Sequence, residues 1–214
     1  MTGLACLPEI TVEDHNAEHD RDLLQLIQTG DEQAFVELYR KYQPSVFRFC
    51  LHVSGSRHVA EEVLQETFVT LIRNPGKYDA ERGPLLLYLF GIARRLVWVR
   101  RRRERRRDEL FTSLEEGATD LPIGGPDLLS RLAHGEQVAR VREAVLSLPR
   151  KYREVIALCA LQELSYEQAA RVVGCSIGTI RSRMHRAKKI LSQKLTEDGL
   201  GQSVQRSSIL GYVP

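Results

Sequence analysis

The chain has 214 residues, a formal net charge of +3 and 43% hydrophobic residues. That length holds one or two small domains, and the apolar share excludes a wholly disordered chain. No apolar run approaches the roughly 20 residues that cross a bilayer, so membrane insertion is not expected.

The N-terminal residues 1–19 read as a loosely structured, slightly acidic extension. Leu-Ala-Cys near its start lacks a basic leader and an apolar segment ahead of the cysteine. A lipoprotein signal is therefore rejected, and a cytoplasmic location is expected. Cys6, Cys50, Cys159 and Cys175 show no CxxC spacing, and His15 and His19 have no second ligand pair beside them. No disulfide framework, metal site or cofactor is expected.

Helical periodicity takes over at Asp20. Leu23, Leu24 and Ile27 form one apolar group. Phe35, Leu38, Tyr39, Tyr42, Val46, Phe47 and Phe49 continue it at three- and four-residue spacing. Gly55 and Ser56 mark a break. The next helix spans about Val59 to Ile72, with Val63, Leu64, Phe68, Leu71 and Ile72 as its apolar stripe. Residues 74–84, NPGKYDAERGP, form a loop by their proline and glycine content. A further helix starts near Leu85 and runs into the arginine-rich stretch RRRRERRR at 100–107. Composition then changes: residues 112–127 hold four acids, no lysine or arginine, and several Gly and Pro. They read as a flexible acidic linker. Helices resume at about Leu128, and Pro149 opens a helix at its first turn.

Residues 164–189, LSYEQAARVVGCSIGTIRSRMHRAKK, have the layout of a helix-turn-helix. Ala169 and Ala170 are small where two helices approach. Gly174 suits the left-handed conformation that ends the first helix, and Ser176 suits the N-cap of the second. Ile180 and Met184, four apart, put one apolar stripe against the first helix. Arg181, Ser182, His185, Arg186 and Lys189 fall on the other side. No Asp or Glu lies between Glu167 and Glu197, as suits a helix beside a polyanion. Residues 196–214 read as a flexible tail.

Two separated blocks carry a family resemblance. GDEQAFVELYRKY (30–42), AEEVLQETFVTLIR (60–73) and GIARR (91–95) resemble region 2 of the sigma-70 family. LPRKYREVIALCALQELSYEQAARVVGCSIGTIRSRMHRAKKIL (148–191) resembles region 4. Their order, and the lack of a domain between them, resemble the small extracytoplasmic-function (ECF) sigma factors. The resemblance implies an all-α chain of two small helical domains, a region 2 bundle and a region 4 helix-turn-helix, joined by the acidic linker. The expected boundaries are 20–108 for region 2, 109–135 for the linker and 136–195 for region 4.

The resemblance also implies roles. Region 4 would read the −35 promoter element through Tyr166, Thr179, Arg181, Ser182, His185, Arg186 and Lys188, and would dock on the β flap of core RNA polymerase. Region 2 would meet the β′ clamp helices through Glu62, Gln65 and Glu66. Its −10 surface would use Tyr78, Tyr88, Arg94 and Arg95. Tyr88 stands where the family often has Trp, Arg95 where it often has Asn, and Val99 where it often has an acid. These departures leave the −10 sequence preference open. The linker would thread the polymerase cleft, and an anti-sigma factor would hold the off state. The implied activity is promoter recognition and melting with no covalent step. No nucleophile–base pair, metal-ligand cluster or phosphate loop has usable spacing. The alternative is a stand-alone helix-turn-helix regulator that needs only the second block.

Overall fold

Helix boundaries in the chain follow capping chemistry. The computed structural model describes residues 12–111 and 139–197, and among the described residues there is no strand. The acidic linker stretch 112–127, the first eleven residues and the tail from residue 198 lie outside the described residues. α1 spans Val12–Gln28, α2 Glu32–Ser54, α3 Arg57–Arg73 and α4 Leu85–Phe111. α5 covers residues 139–146. α6 spans Arg150–Val155 and continues as a π-helical turn over Ile156–Leu161. α7 spans Tyr166–Val173 and α8 Ile177–Glu197. No described helix is long and apolar enough to cross a membrane.

Asp31 caps α2 by accepting from the Gln33 and Ala34 backbone N–H groups at 2.8 and 3.1 Å. Ser56 caps α3 by accepting from the Val59 N–H at 3.3 Å. Each side chain satisfies donors that a helix start leaves open. Gly55, at φ +76°, ends α2 in the left-handed region. It also lies where α5 comes closest: a Cβ there would stand 2.8 Å from Leu146 Cδ2. Both constraints select glycine.

α1–α4 form one helical unit and α5–α8 a second. Leu38, Val46, Phe49 and Val53 of α2 are fully buried, as are Leu89, Phe90 and Val97 of α4. Phe49 and Phe90 meet at 5.1 Å between ring centroids. Phe35, Tyr39 and Phe68 make a second aromatic group, with Tyr39 and Phe68 4.8 Å apart. The second unit buries Leu148, Val155, Leu158, Ile180 and Met184. The apolar core runs without a break from one unit into the other. α4 packs on α7, and α2 packs on the π-helical turn.

Three elements differ from the sequence reading. Helix α1 begins at Val12, inside the stretch expected to be loose. Polar contacts at His19 and Asp20 hold the helix beside its buried apolar group Leu23, Leu24 and Ile27. Buried Asp20 accepts from the Tyr42 hydroxyl and pairs with Lys41 Nζ at 2.7 Å, and His19 lies 2.7 Å from Glu37. Ile72, expected in the apolar stripe of α3, is 40% exposed. Leu71 takes the inward place, and the next residue along a helix turns about 100° away from it. Pro149 stands at the N-cap of α6, one position ahead of the first turn. Beyond these, α4 and α8 run to Phe111 and Glu197, past the expected domain ends.

Replacing Phe90 with Ala removes a fully buried ring from the contact with Phe49. It should lower the unfolding free energy by about 3–5 kcal/mol, measured by urea denaturation.

Candidate nucleic-acid and polymerase interfaces

The helix-turn-helix is built by local chemistry at each end of α7. Ser165 Oγ accepts from the Gln168 N–H at 3.2 Å, and Gln168 Oε1 accepts from the Ser165 N–H at 2.9 Å. This reciprocal pair is a capping box. The sequence reading did not pick it out, although its Ser-x-x-Gln spacing was visible. Gly174 ends α7 at φ +75°, and its N–H donates to the Ala170 carbonyl at 2.8 Å. A residue with a Cβ would meet the left-handed penalty there. Ser176 Oγ accepts from the Thr179 N–H at 3.2 Å and starts α8.

Buried Ile180, Met184 and Ala187 hold α8 on the unit. That anchoring turns Arg181, Ser182, His185, Arg186 and Lys189 outward, and all five are exposed. Thr179 and Lys188 are half-buried. The Thr179 hydroxyl lies 2.9 Å from Ser176 Oγ, and Ser182 Oγ donates to the Thr179 carbonyl at 3.0 Å. Tyr166 is half-buried against the core at the start of α7.

Two further residues condition this face, and the sequence reading passed over both. A hydrogen bond with Arg186 holds the Tyr152 phenol below its usual range. Hydrogen bonds from its own backbone N–H and from Ser165 hold the Glu167 carboxyl below the usual range, and Arg181 and Arg171 add to this. An acid at the first turn of α7 is favoured by the helix dipole and lies within the field of Arg181. The Tyr152–Arg186 contact joins two elements, so spacing on one helix could not reveal it, whereas the Glu167 bonds lie within the first turn of α7 and its cap.

The loop 74–84 contains two short 3-10 turns, Pro75–Lys77 and Ala80–Arg82. The Tyr78 hydroxyl closes it by donating to the Gly83 carbonyl at 3.2 Å. The Tyr78 and Tyr88 rings meet at 5.7 Å and 50°. Burial pushes the Tyr88 phenol up, and Arg95 works against that rise. Tyr78, Tyr88 and Arg95 therefore come together on one face of the first unit. Arg95 is exposed.

Arg94 does not join them. One residue along α4, it points to the second unit, where its Nε lies 3.1 Å from Oε1 of buried Glu154. Arg150 Nε approaches the same oxygen at 3.2 Å, and its guanidinium lies 4.5 Å from the centroid of the Trp98 ring.

On α3, Gln65 is exposed and Glu66 half-buried. Glu62 pairs with Arg100 Nη1 of α4 at 3.2 Å. Val69 and Ile72 are 36% and 40% exposed. With Gln65 they make a mixed amide and apolar stripe at i, i+4 and i+7, a pattern suited to an adjoining helix.

The arrangement offers a basic helix face, a tyrosine pair beside an arginine, and a partly apolar helix stripe. Among the described residues no group of His, Cys, Asp and Glu is placed to hold a metal ion. Comparisons with known proteins follow the same division. Residues 38–107 match the family model described as Sigma-70 region 2, and residues 139–191 match Sigma-70, region 4. The chain is 31% identical to the ECF RNA polymerase sigma factor SigM of Bacillus subtilis over 72% of this chain and 91% of that protein. It is 33% identical to the ECF RNA polymerase sigma factor SigE of Mycolicibacterium smegmatis over 79% of this chain and 65% of that protein's length. Among solved structures, it resembles the sigma factor RpoE of Bartonella quintana, crystallised with the anti-sigma factor NepR. That match has a TM-score of 0.61 at 25% identity and covers 77% of this chain and 98% of that one.

Replacing Arg95 with Ala removes the cation that lowers the Tyr88 ionisation. Tyr88 should then lose its proton at still higher pH, followed by its ring chemical shifts through an alkaline titration.

Proposed function

The chain belongs to the ECF sigma factors of the sigma-70 family, and on that premise we propose that it brings core RNA polymerase to promoters by reading −35 and −10 elements and helping to open the duplex. The observation that carries this reading is the exposed row Arg181, Ser182, His185 and Arg186 on a helix whose opposite side is locked into the core. An α-helix fits the major groove of B-DNA, where Arg can bond two acceptors of guanine. Ser182 donates its hydroxyl proton to its own helix, so it meets DNA chiefly as an acceptor. Thr179 and Lys188 flank the row and suit phosphates, with Tyr166 at the start of α7.

At the other end, Tyr78 and Tyr88 supply aromatic faces for an unstacked base, with Arg95 beside them for the strand backbone. Arg94 is the fourth member of this set and reaches a strand once Glu154 releases it. Glu62, Gln65 and Glu66 meet the β′ clamp helices, with exposed Val69 and Ile72 adding apolar contact. Region 4 docks on the β flap. The factor works in the cytoplasm and catalyses no covalent step. An anti-sigma factor holds it inactive, a reading supported by the anti-sigma complex of the Bartonella quintana protein. A stand-alone repressor would leave the first block without a role.

Arg181→Ala should weaken binding to a −35 duplex about tenfold or more, from about 1–3 kcal/mol for a good base contact. Runoff transcription across promoter variants checks it, and unchanged selectivity removes Arg181 from the readout. Replacing Gln65 and Glu66 together with Ala should reduce affinity for core polymerase with helical content unchanged. Normal retention of core enzyme in a pull-down would contradict the clamp assignment.

A further inference from the structure

The outward face of α4 carries two features that folding does not explain. Val99 is 42% exposed. A β-branched residue there weakens an exposed helix slightly and buries little in return. Gly91 sits inside the same helix, and a Cβ built on it would meet no other side chain or element within 4 Å. Packing therefore leaves room for alanine, and glycine inside a helix is the less stable choice. At about 100° per residue, Gly91 and Val99 fall on one stripe with Tyr88, Arg95 and Arg102, opposite buried Ala93 and Val97. Arg95 and Arg102 are exposed. They lie one turn before and one turn after Val99, about 10 Å apart along the axis. No Asp or Glu occurs from Leu85 to Arg103. A lone apolar side chain between two cations, on a stretch with no acid, is complementary to a base set between backbone phosphates. The apolar group that base edges offer is the C5-methyl of thymine.

We propose that the outward face of α4 reads a thymine of the −10 element: Val99 packs on its C5-methyl, Arg95 and Arg102 hold flanking phosphates, and the bare backbone at Gly91 lets the DNA lie close to the helix. The proposal rests on the reading of Tyr88 and Arg95 as −10 contacts. Val99 is then a base-reading residue, and Arg102 a phosphate contact without sequence preference. The contact separates thymine from uracil, which lacks only the methyl, and from cytosine, which also presents a donor in place of an acceptor. At position 91 stability and function pull opposite ways. A methyl group there would steady the helix and stand between it and the DNA.

The test uses the full chain with core RNA polymerase and templates of a promoter it transcribes, in which each −10 position in turn carries thymine or deoxyuridine. Wild type should show a position where deoxyuridine lowers promoter affinity about fourfold, the worth of one buried methyl. Val99→Ala should abolish that difference with helical circular dichroism unchanged. Val99→Thr, which keeps one of the two methyls, should retain part of it. Arg102→Ala should weaken all templates alike, reduce the salt dependence and leave the thymine preference in place. Gly91→Ala should raise the melting temperature of the factor while weakening promoter binding severalfold. Equal affinity for thymine and deoxyuridine at every position overturns the proposal, as does a preference that survives in Val99→Ala. Reduced retention of core polymerase by Val99→Ala, with the thymine preference unchanged, sets the valine against the polymerase and overturns it also. A stabilised Gly91→Ala protein that binds the promoter like wild type overturns the close approach. An absence of any transcript from the wild-type holoenzyme overturns the −10 reading itself, an outcome separate from a loss of thymine preference alone.

Discussion

Two neighbouring charges, Arg153 and Glu154, are buried where the two helical units meet, and each has a polar contact with the opposite unit. Arg153 Nη1 donates to the Val53 carbonyl at the end of α2 at 3.0 Å. Its Nη2 donates to the carbonyls of Leu146 and Leu148. Glu154 takes Arg94 of α4. A buried polar group or charge removed from its partner is costly, so the two units are held in register by the need to keep Arg153 hydrogen-bonded and Glu154 paired. The apolar core gives this seam its area but no register of its own, because packing of aliphatic side chains is non-directional.

That register decides which surfaces are available. α8 is anchored through Ile180, Met184 and Ala187 and presents its basic row to solvent. On the first unit, the tyrosine pair with Arg95 and the α3 stripe of Gln65, Val69 and Ile72 are both left open. The preceding position on α4, Arg94, is closed over. Neighbouring arginines of one motif thus serve different ends, one facing outward and one holding the units together. The N-terminal helix contributes from behind. Buried Asp20 ties α1 to Tyr42 and Lys41, and burial, then the field of Asp20, pushes the Tyr78 phenol up.

The chain order of helices, the loop at 74–84 and the helix-turn-helix were legible because each rests on local rules: periodicity, glycine at a left-handed position, and a hydroxyl at an N-cap. Gly174 and Ser176 behave as their sequence context requires. Ile72 was misjudged because its spacing fits the apolar stripe as well as that of Leu71, and only the packing of α3 on its neighbours buries Leu71 and leaves Ile72 exposed. The start of α1 was missed because residues 12–19 hold only Val12 and Ala17 as apolar residues, too few for a visible helical period.

By itself the sequence determined the helical class, the two blocks, the turn between α7 and α8 and the basic side of α8. All of these depend on residues a few positions apart, whose relation a helix imposes. Only the tertiary structure decided that Arg94 faces Glu154 while Arg95 joins Tyr88, that Arg186 meets Tyr152, and that Glu62 pairs with Arg100. Those contacts join helices distant in the chain, and the side on which each charge falls depends on how the helices are rotated when their apolar stripes pack.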